Sequence, residues 1–378
     1  MRHPTHRARR CTGAALLAAC ALAGCSSSTS TSAPAAATAV HPPAYTPSEA
    51  AAGAGHECVV PSSASPPVPW SRLRNPILAS PVAGLKDQAL VWWAGSWHLL
   101  FSYVTGQHAA PGHEQWDIAT ASSTDLRHWS SPTPWPDQPG GVASPDIVRS
   151  PDGRFVATYD GPPDEQHTSQ AKLYFRTSPD LTHWSAPRRL APSLHPQPGV
   201  RMIDAALAWS GNGLVLGYKV GTTSQHQAFE VAWSASGSLG GPWRVLGHPD
   251  VSVYGDTVEN YEFLVVDGLW RLVATSNVGD QPWMFTLGGA PTDPMSWLRW
   301  TDGTQLAIPA GSWDSGPGAS SVGYERANSV FLCALRPSGG TVLATYAGSS
   351  ELSEFGGWGH AAIGMARSTD LVTWQVPS

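Results

Sequence analysis

The chain has 378 residues, and 13% of them are charged, which is about half the usual share for a soluble protein. Only three lysines occur, so the charged faces of long surface helices are missing, and a helical bundle or coiled coil is excluded. A hydrophobic content of 42% is too high for general disorder, and a formal charge of −6 without a basic cluster in the body argues against nucleic acid as a partner. The 38 Gly, 34 Pro and 18 Trp favour a turn-rich all-β protein, large for one domain unless it is a barrel or a propeller.

Residues 1–24 are predicted to be an export signal. A basic start is followed by an apolar run, Ala14 to Ala23, that is too short to span a bilayer. The run ends in Leu22-Ala23-Gly24-Cys25, which resembles the lipobox of bacterial lipoproteins, where the Cys is lipidated and becomes the first mature residue. This predicts a protein anchored by Cys25 on the outer face of the bacterial cytoplasmic membrane. An ordinary secretory cleavage site beside an unrelated cysteine is the alternative.

Residues 25–70 carry the lipidated Cys and a low-complexity run of Ser, Thr, Ala and Pro, which predicts a flexible tether before a domain at 71–378. Removal of the signal and lipidation of Cys25 leave two cysteines, Cys58 and Cys333. In an oxidising compartment these two either form a disulfide or remain separate buried thiols.

The domain repeats one unit five times. The motif Ser-x-Asp-Leu-x-x-Trp occurs at 123–129, 178–184 and 368–374, and degenerate forms lead to Trp243 and Trp300. The five tryptophans that end the units are 55, 59, 57 and 74 residues apart, and a Gly turn with an alternating strand precedes each of them. Such units are typical of four-stranded blades, so the sequence predicts a five-bladed β-propeller; a β-sandwich does not explain five copies. We assign these tryptophans to blade packing rather than to sugar stacking.

An acidic residue lies near the first strand of four units. Asp87, Asp146, Asp204 and Glu259 are 59, 58 and 55 residues apart, close to the blade period. Because the first strand of every blade lines the central channel, equivalent positions converge, and the spacing predicts four carboxyl groups at one end of the channel. Carboxylates held together raise one another's pKa, and such a cluster suits glycoside hydrolysis or cation binding. The plain alternative is that each acid caps a hairpin.

With these motifs, residues from about 75 to 378 resemble glycoside hydrolase family 43 and its five-bladed clan, families 43, 62, 32 and 68. The resemblance matches Asp87 in Lys-Asp-Gln to a general base and Asp204 in Met-Ile-Asp-Ala to the residue that orients the acid and tunes its pKa. It matches Glu259 to the general acid, and Asp146 in Ser-Pro-Asp to a substrate-facing residue.

The chain also departs from the family pattern. Gln88 follows the expected base where the family usually has Pro, and Asn260-Tyr261 follows the expected acid where Gly-Pro or Ala-Pro is usual. Glu262 is a competing candidate acid, although strand alternation favours Glu259.

Three further residues are expected to contact substrate. Arg326 and Asn328 begin the fifth unit and would offset carboxylate charge or bind sugar hydroxyls. Trp93 lies in the strand of the first acid and would stack on a sugar, although packing explains it equally well.

The sequence therefore predicts an exported, monomeric glycoside hydrolase that cleaves an α-L-arabinofuranoside or β-xyloside linkage of a polysaccharide or oligosaccharide by inversion. No cofactor is required, although a Ca²⁺ ion in the central channel fits the carboxylates. Two alternatives are a non-catalytic glycan-binding propeller that keeps the acidic pocket and a propeller stabilised by a cation.

Overall fold

The structure is a computed structural model. It describes residues 58, 66–106, 114–138, 140–161, 171–222, 227–249, 251–253, 257–276, 281–314, 326–335, 340–349 and 361–378. All of them belong to one compact unit, Pro42–Ser378. The predicted signal peptide and Cys25 lie outside the described residues.

Nineteen described strands form five antiparallel sheets that follow one another along the chain. Blades 1 and 2 contain β1 (Gly84–Trp93), β2 (Ser96–Thr105), β3 (Gln115–Ser123), β4 (Thr133–Pro134), β5 (Ala143–Arg149), β6 (Phe155–Gly161), β7 (Lys172–Ser178) and β8 (Arg188–Arg189). Blades 3 and 4 contain β9 (Arg201–Ser210), β10 (Gly213–Gly221), β11 (Gln227–Ser234), β12 (Arg244–Gly247), β13 (Val258–Val266), β14 (Leu269–Ser276), β15 (Gln281–Leu287) and β16 (Trp300–Gln305). Blade 5 contains β17 (Arg326–Ala334), β18 (Val342–Gly348) and β19 (Ala362–Ser368), and short 3₁₀ helices span Trp70–Arg72 and Pro294–Leu298.

The first strands of the blades contact one another in a closed ring, β1 to β5, β9, β13, β17 and back to β1. The first strands are buried along nearly their whole length because each is covered by neighbouring blades on both faces. The fold is a five-bladed β-propeller, as the sequence repeat predicts.

The repeated tryptophans pack each blade, as the sequence analysis assigns them. Trp129 donates its ring N–H to the carbonyl oxygen of Leu126 at 3.1 Å, and Trp184 and Trp243 make equivalent bonds in blades 2 and 3. Within the motif, Asp125 accepts backbone N–H groups of the turn that follows it. The motif therefore closes a turn and caps the blade edge.

Blade 5 is completed by the segment that precedes blade 1. Leu78 pairs with Ile363 on β19, and the Asn75 side chain both accepts from the Met365 N–H and donates to the Met365 carbonyl oxygen, each at 2.9 Å. Cys58 forms a disulfide with Cys333 on β17, with 5.4 Å between their Cα atoms. Hydrogen bonds and one covalent bond thus close the ring where its two ends meet.

Every first strand contains the same β-bulge, in which two residues lie opposite one residue of the second strand. The first residue of each bulge has a left-handed backbone with φ between +50° and +55°; these residues are Asp87, Ser144, Asp204, Asn260 and Ser329. Only short polar side chains and glycine adopt this conformation readily. The bulges therefore define a ring of equivalent positions, here called the bulge ring, around the central channel.

Candidate functional site

A cavity of about 350 Å³ opens at one end of the channel, around the bulge ring. It is lined by the bulge residues of blades 1 to 4, by the residues that precede them, and by side chains of the second and third strands. Its charged members are Lys86, Asp87, Glu114, Asp160, Arg201, Asp204, Lys219 and Glu259, and Trp116 is its large aromatic side chain. Carboxyl groups and cations thus share one pocket of the size of a small-molecule site.

The bulges correct the expected equivalence of the four acids. Asp87 and Asp204 are both bulge residues, whereas Glu259 precedes the bulge of blade 4 and Asp146 follows the bulge of blade 2. The position that matches Glu259 in blade 1 is Lys86. The acids therefore occupy three different positions relative to the bulge rather than one.

Asp87 is buried and surrounded by donors. Its Oδ2 accepts the Ser102 hydroxyl at 2.8 Å, and its Oδ1 accepts the Ser329 hydroxyl at 2.6 Å and the Asn260 side-chain amide at 3.2 Å. Lys86 Nζ lies 3.3 Å from Oδ1. These contacts fix the carboxylate at the cavity wall.

Glu259 is paired with Lys219, a residue of the second strand of blade 3. Burial alone would raise the pKa of Glu259, but Lys219, Lys86 and Arg201 outweigh it and hold the pKa below its ordinary value. Glu259 is therefore a carboxylate near neutral pH in this structure.

Asp204 and Asp160 show the opposite behaviour. Burial raises the pKa of Asp204, and the charges of Glu259 and Asp87 raise it further against the opposing effect of Lys219. Burial raises the pKa of Asp160 to about 8, with Asp204 adding to the shift. The cavity thus combines one carboxyl group whose pKa is lowered, Glu259, with two whose pKa is raised, Asp160 and Asp204, a difference that acid–base catalysis requires.

Asp146 lies deeper in the channel. It lines a second cavity of about 40 Å³ together with Glu262 and does not line the larger one. Glu262 accepts the backbone N–H of Leu332 at 2.8 Å, and burial raises its pKa well above the ordinary value. Both acids are therefore separated from the larger cavity by the bulges.

Two of the other predicted contact residues, Trp93 and Asn328, do not line the larger cavity. Trp93 is partly buried and packs edge-on against Phe155, with ring centroids 5.4 Å apart, at the border of the hydrophobic core. Asn328 is fully buried, and its side-chain amide contacts the Ser329 hydroxyl. Arg326 begins β17, and its side chain lies outside the described part of the chain.

Sequence reasoning missed Asp160, Lys219 and Trp116 because it considered only the first strands. A signal was present for Lys219, since two of the three lysines in the chain, Lys86 and Lys219, line this cavity on otherwise apolar strands. Asp160 likewise ends an apolar strand, Phe-Val-Ala-Thr-Tyr-Asp-Gly.

Among the described residues, no group of three or more His, Cys, Asp or Glu side chains is placed to hold a metal ion, so calcium binding stays a prediction from the sequence. Within the same residues, no helix has the length and apolar character needed to cross a membrane.

No protein-family model matches the chain, and no curated protein sequence matches it. Solved structures do. One comes from the GH130 family of mannoside phosphorylases, which contains glycoside hydrolases that target β-1,2 mannosidic linkages in Candida mannan. That structure is 15% identical in sequence, with a TM-score of 0.57 over 85% of this chain and 99% of that one.

Two other structures are similar. A thermostable family-43 glycoside hydrolase is 14% identical, with a TM-score of 0.52 over 80% of this chain and 95% of its own. The catalytic domain of the Coprinopsis cinerea GH62 α-L-arabinofuranosidase is 13% identical, with a TM-score of 0.51 over 83% and 96%. The chain shares their five-bladed fold. At these identities the likeness concerns the fold alone, and the chemistry has to be argued from the cavity.

Proposed function

We propose that the protein is a glycoside hydrolase that cleaves an α-L-arabinofuranoside or β-xyloside linkage with inversion. One observation carries the proposal: carboxyl groups from four blades, Asp87, Asp160, Asp204 and Glu259, line one cavity, and their surroundings raise the pKa of Asp160 and lower that of Glu259. Glycoside hydrolysis needs such a difference, with one carboxylate to activate water and one protonated carboxyl to protonate the leaving oxygen. The proposed substrate class is taken from two proteins of similar fold, a family-43 glycoside hydrolase and a GH62 α-L-arabinofuranosidase.

In this mechanism Asp87 accepts a proton from the attacking water. Its fixed position suits the task, since an inverting enzyme must hold the water between its base and the sugar. Trp116 is partly exposed at the cavity wall and offers an aromatic face to the sugar ring.

Glu259 is the proton donor that the family resemblance implies, with Asp204 orienting it. In the present arrangement Lys219 holds Glu259 as a carboxylate. Glu259 can therefore act as an acid only after a substrate displaces Lys219 and the carboxylate takes up a proton.

The test compares wild type, Asp87→Asn and the control Asp152→Asn on nitrophenyl arabinofuranosides and xylosides. Asp152 is exposed in the turn between β5 and β6, far from the cavity lining. Loss of a general base lowers kcat by about 10²–10⁴-fold, while the control keeps wild-type rates. The anomer first released, read by proton NMR, should be inverted. Undiminished turnover by Asp87→Asn would rule out this assignment.

A non-catalytic glycan-binding role is the second candidate. It is favoured by the four donors around Asp87, three on Oδ1 and one on Oδ2, which compete with water for the oxygens of the base. In that case the wild type would bind arabino- or xylo-oligosaccharides in calorimetry and hydrolyse none of the panel, and Trp116→Ala would weaken the binding.

Export and anchoring form a separate part of the proposal. They rest on the sequence of residues 1–24 and on Cys25, and they would hold the propeller on the outer face of the cytoplasmic membrane, where polysaccharide fragments are available.

A further inference from the structure

Asp160 lies on β6 opposite Ala143, the residue that precedes the bulge of blade 2. The matching position on the second strand of blade 3 is Lys219, opposite Ile203, and in blade 1 it is Ser102, opposite Lys86. Both of these equivalents contact the active carboxylates, since Ser102 donates to Asp87 and Lys219 pairs with Glu259. Asp160 thus occupies a position whose equivalents in two other blades serve the same cavity.

The surroundings of Asp160 suit a neutral carboxyl. The residue is 6% exposed and lines the cavity, and its Oδ1 is buried without a hydrogen-bond partner among the described residues. An ionised carboxylate in such a place loses its hydration without replacement, so the neutral acid is favoured. Burial is the main reason that the pKa of Asp160 rises to about 8; Asp204 and Asp87 add to the rise, and Arg201 and the Ser144 hydroxyl oppose it.

The surroundings of Glu259 differ from those of Asp160. Its counterpart on the neighbouring strand is a cation, Lys219, and this pair keeps Glu259 ionised. Both carboxyl groups line the cavity, but only Asp160 has a buried oxygen without a hydrogen-bond partner and no cation paired with it within hydrogen-bonding distance among the described residues.

We propose that Asp160 is the group that protonates the leaving oxygen, and that Glu259 remains a carboxylate that stabilises positive charge on the sugar. The inference rests on the proposed hydrolase function. As the bond between the anomeric carbon and the glycosidic oxygen breaks, its electron pair stays on that oxygen, which takes the proton of Asp160. Water forms the new bond to carbon and gives a proton to Asp87. Solvent then reprotonates Asp160 and removes the proton from Asp87.

The experiment compares Asp160→Asn with Glu259→Gln on two glycosides of the same sugar. One has dinitrophenol as its leaving group, which departs without being protonated. The other has an alkyl alcohol, which departs only when its oxygen is protonated. We expect Asp160→Asn to lose about 10²–10⁴-fold in kcat on the alkyl glycoside and less than about tenfold on the dinitrophenyl glycoside. Glu259→Gln should lower kcat by similar factors on both glycosides, and Asp152→Asn should leave kcat unchanged on both.

Two pH measurements accompany the kinetics. The rate of the wild type on the alkyl glycoside should fall above about pH 8 as Asp160 loses its proton, and this limb should be absent from Asp160→Asn. The infrared difference spectrum of the wild type should contain a carboxylic-acid carbonyl band that titrates in the same range and is missing in Asp160→Asn.

The outcomes separate the two proposals. If Glu259→Gln shows the dependence on leaving group and Asp160→Asn does not, or if no band titrates near pH 8, the donor role of Asp160 is overturned while hydrolysis stands. If the wild type hydrolyses neither glycoside in a panel of pentosides and hexosides, the hydrolase function is overturned and the donor role with it, whatever the band does.

Discussion

Removal of the disulfide between Cys58 and Cys333 should destabilise the propeller by an amount that the structure allows us to calculate. The bond joins the segment before blade 1 to the first strand of blade 5, across a sequence separation of 275 residues. The change is the double substitution Cys58→Ala and Cys333→Ala, which leaves no free thiol at the seam. Both residues are buried, so alanine leaves only a small gap in each place.

The expected loss is large because the closed loop is long. The chain-entropy relation for a loop of 275 residues gives about 5.6 kcal/mol, since the unfolded chain gains all the freedom that the bond denies it. Measured losses fall between about 2 and 5 kcal/mol, because unfolded chains retain some structure. We therefore expect the free energy of unfolding to fall by at least about 2 kcal/mol.

Urea unfolding followed by tryptophan fluorescence measures this loss, and a reductant supplies the control. Reduction should lower the stability of the wild type toward that of the double variant and leave the variant itself unchanged. If the double variant unfolds within about 1 kcal/mol of the oxidised wild type, the hydrogen bonds of the Asn75–Leu78 segment close the ring without help from the disulfide, and the reasoning is refuted.

Other predictions concern the seam, the site and the anchor. Asn75→Ala removes three hydrogen bonds to blade 5 and should cost about 3 kcal/mol in urea unfolding, unless water replaces them. The pKa of Asp160 is about 8 in the folded state and 3.8 in the unfolded state, so the contribution of Asp160 to stability is lost as the pH rises between these values. The free energy of unfolding of Asp160→Asn, relative to that of wild type, should therefore increase by about 1.4 kcal/mol per pH unit from pH 5 to 8. A difference that does not change with pH would contradict the raised pKa. Lys219→Met leaves the partly buried Glu259 without its cation and should lower the free energy of unfolding by up to about 3 kcal/mol at pH 8 and by less at pH 5, where Glu259 can take up a proton. Cys25→Ala should abolish labelling by radioactive palmitate in a bacterial host, and continued labelling would exclude the lipid anchor.

The blade architecture was predictable from the sequence because one packing solution is repeated five times. Each tryptophan that ends a blade bonds to its own turn, so the motif carries local information that survives without knowledge of the neighbouring blades. The second strands follow from their Gly turns and alternation for the same reason.

The register of the acids was not predictable to one residue. A bulge inserts an extra residue into a strand, and the amino-acid sequence contains no signal for it. Spacings of 59, 58 and 55 residues between the acids therefore do not reveal which acids share a strand position. Trp93 was expected near Asp87 because the two residues share a strand. Six residues of extended strand span about 20 Å, so Trp93 lies at the opposite end of β1 from Asp87.

The contribution of the second strands depends on packing between blades, which a single sequence does not display. Lys219 acts on Glu259 of the next blade, and Asp160 faces Asp204 and Arg201 of the next blade. These pairs are long-range contacts, and only the closed ring brings them together.

The left-handed backbone at the five bulges limits how this centre can be re-engineered. A short side chain such as Asp, Asn or Ser tolerates that conformation, so exchange among these three types changes charge while leaving the main chain as it is. Ser144→Asp or Asn260→Asp would move a carboxylate to another blade at little conformational cost. Replacement by Glu, Val or Ile would strain the backbone, so longer acids and bases must come from the position before the bulge, where Lys86 and Glu259 already lie. The propeller thus has five equivalent bulge positions for short polar side chains. It is a scaffold for testing how the position of one charge decides which bond is cleaved.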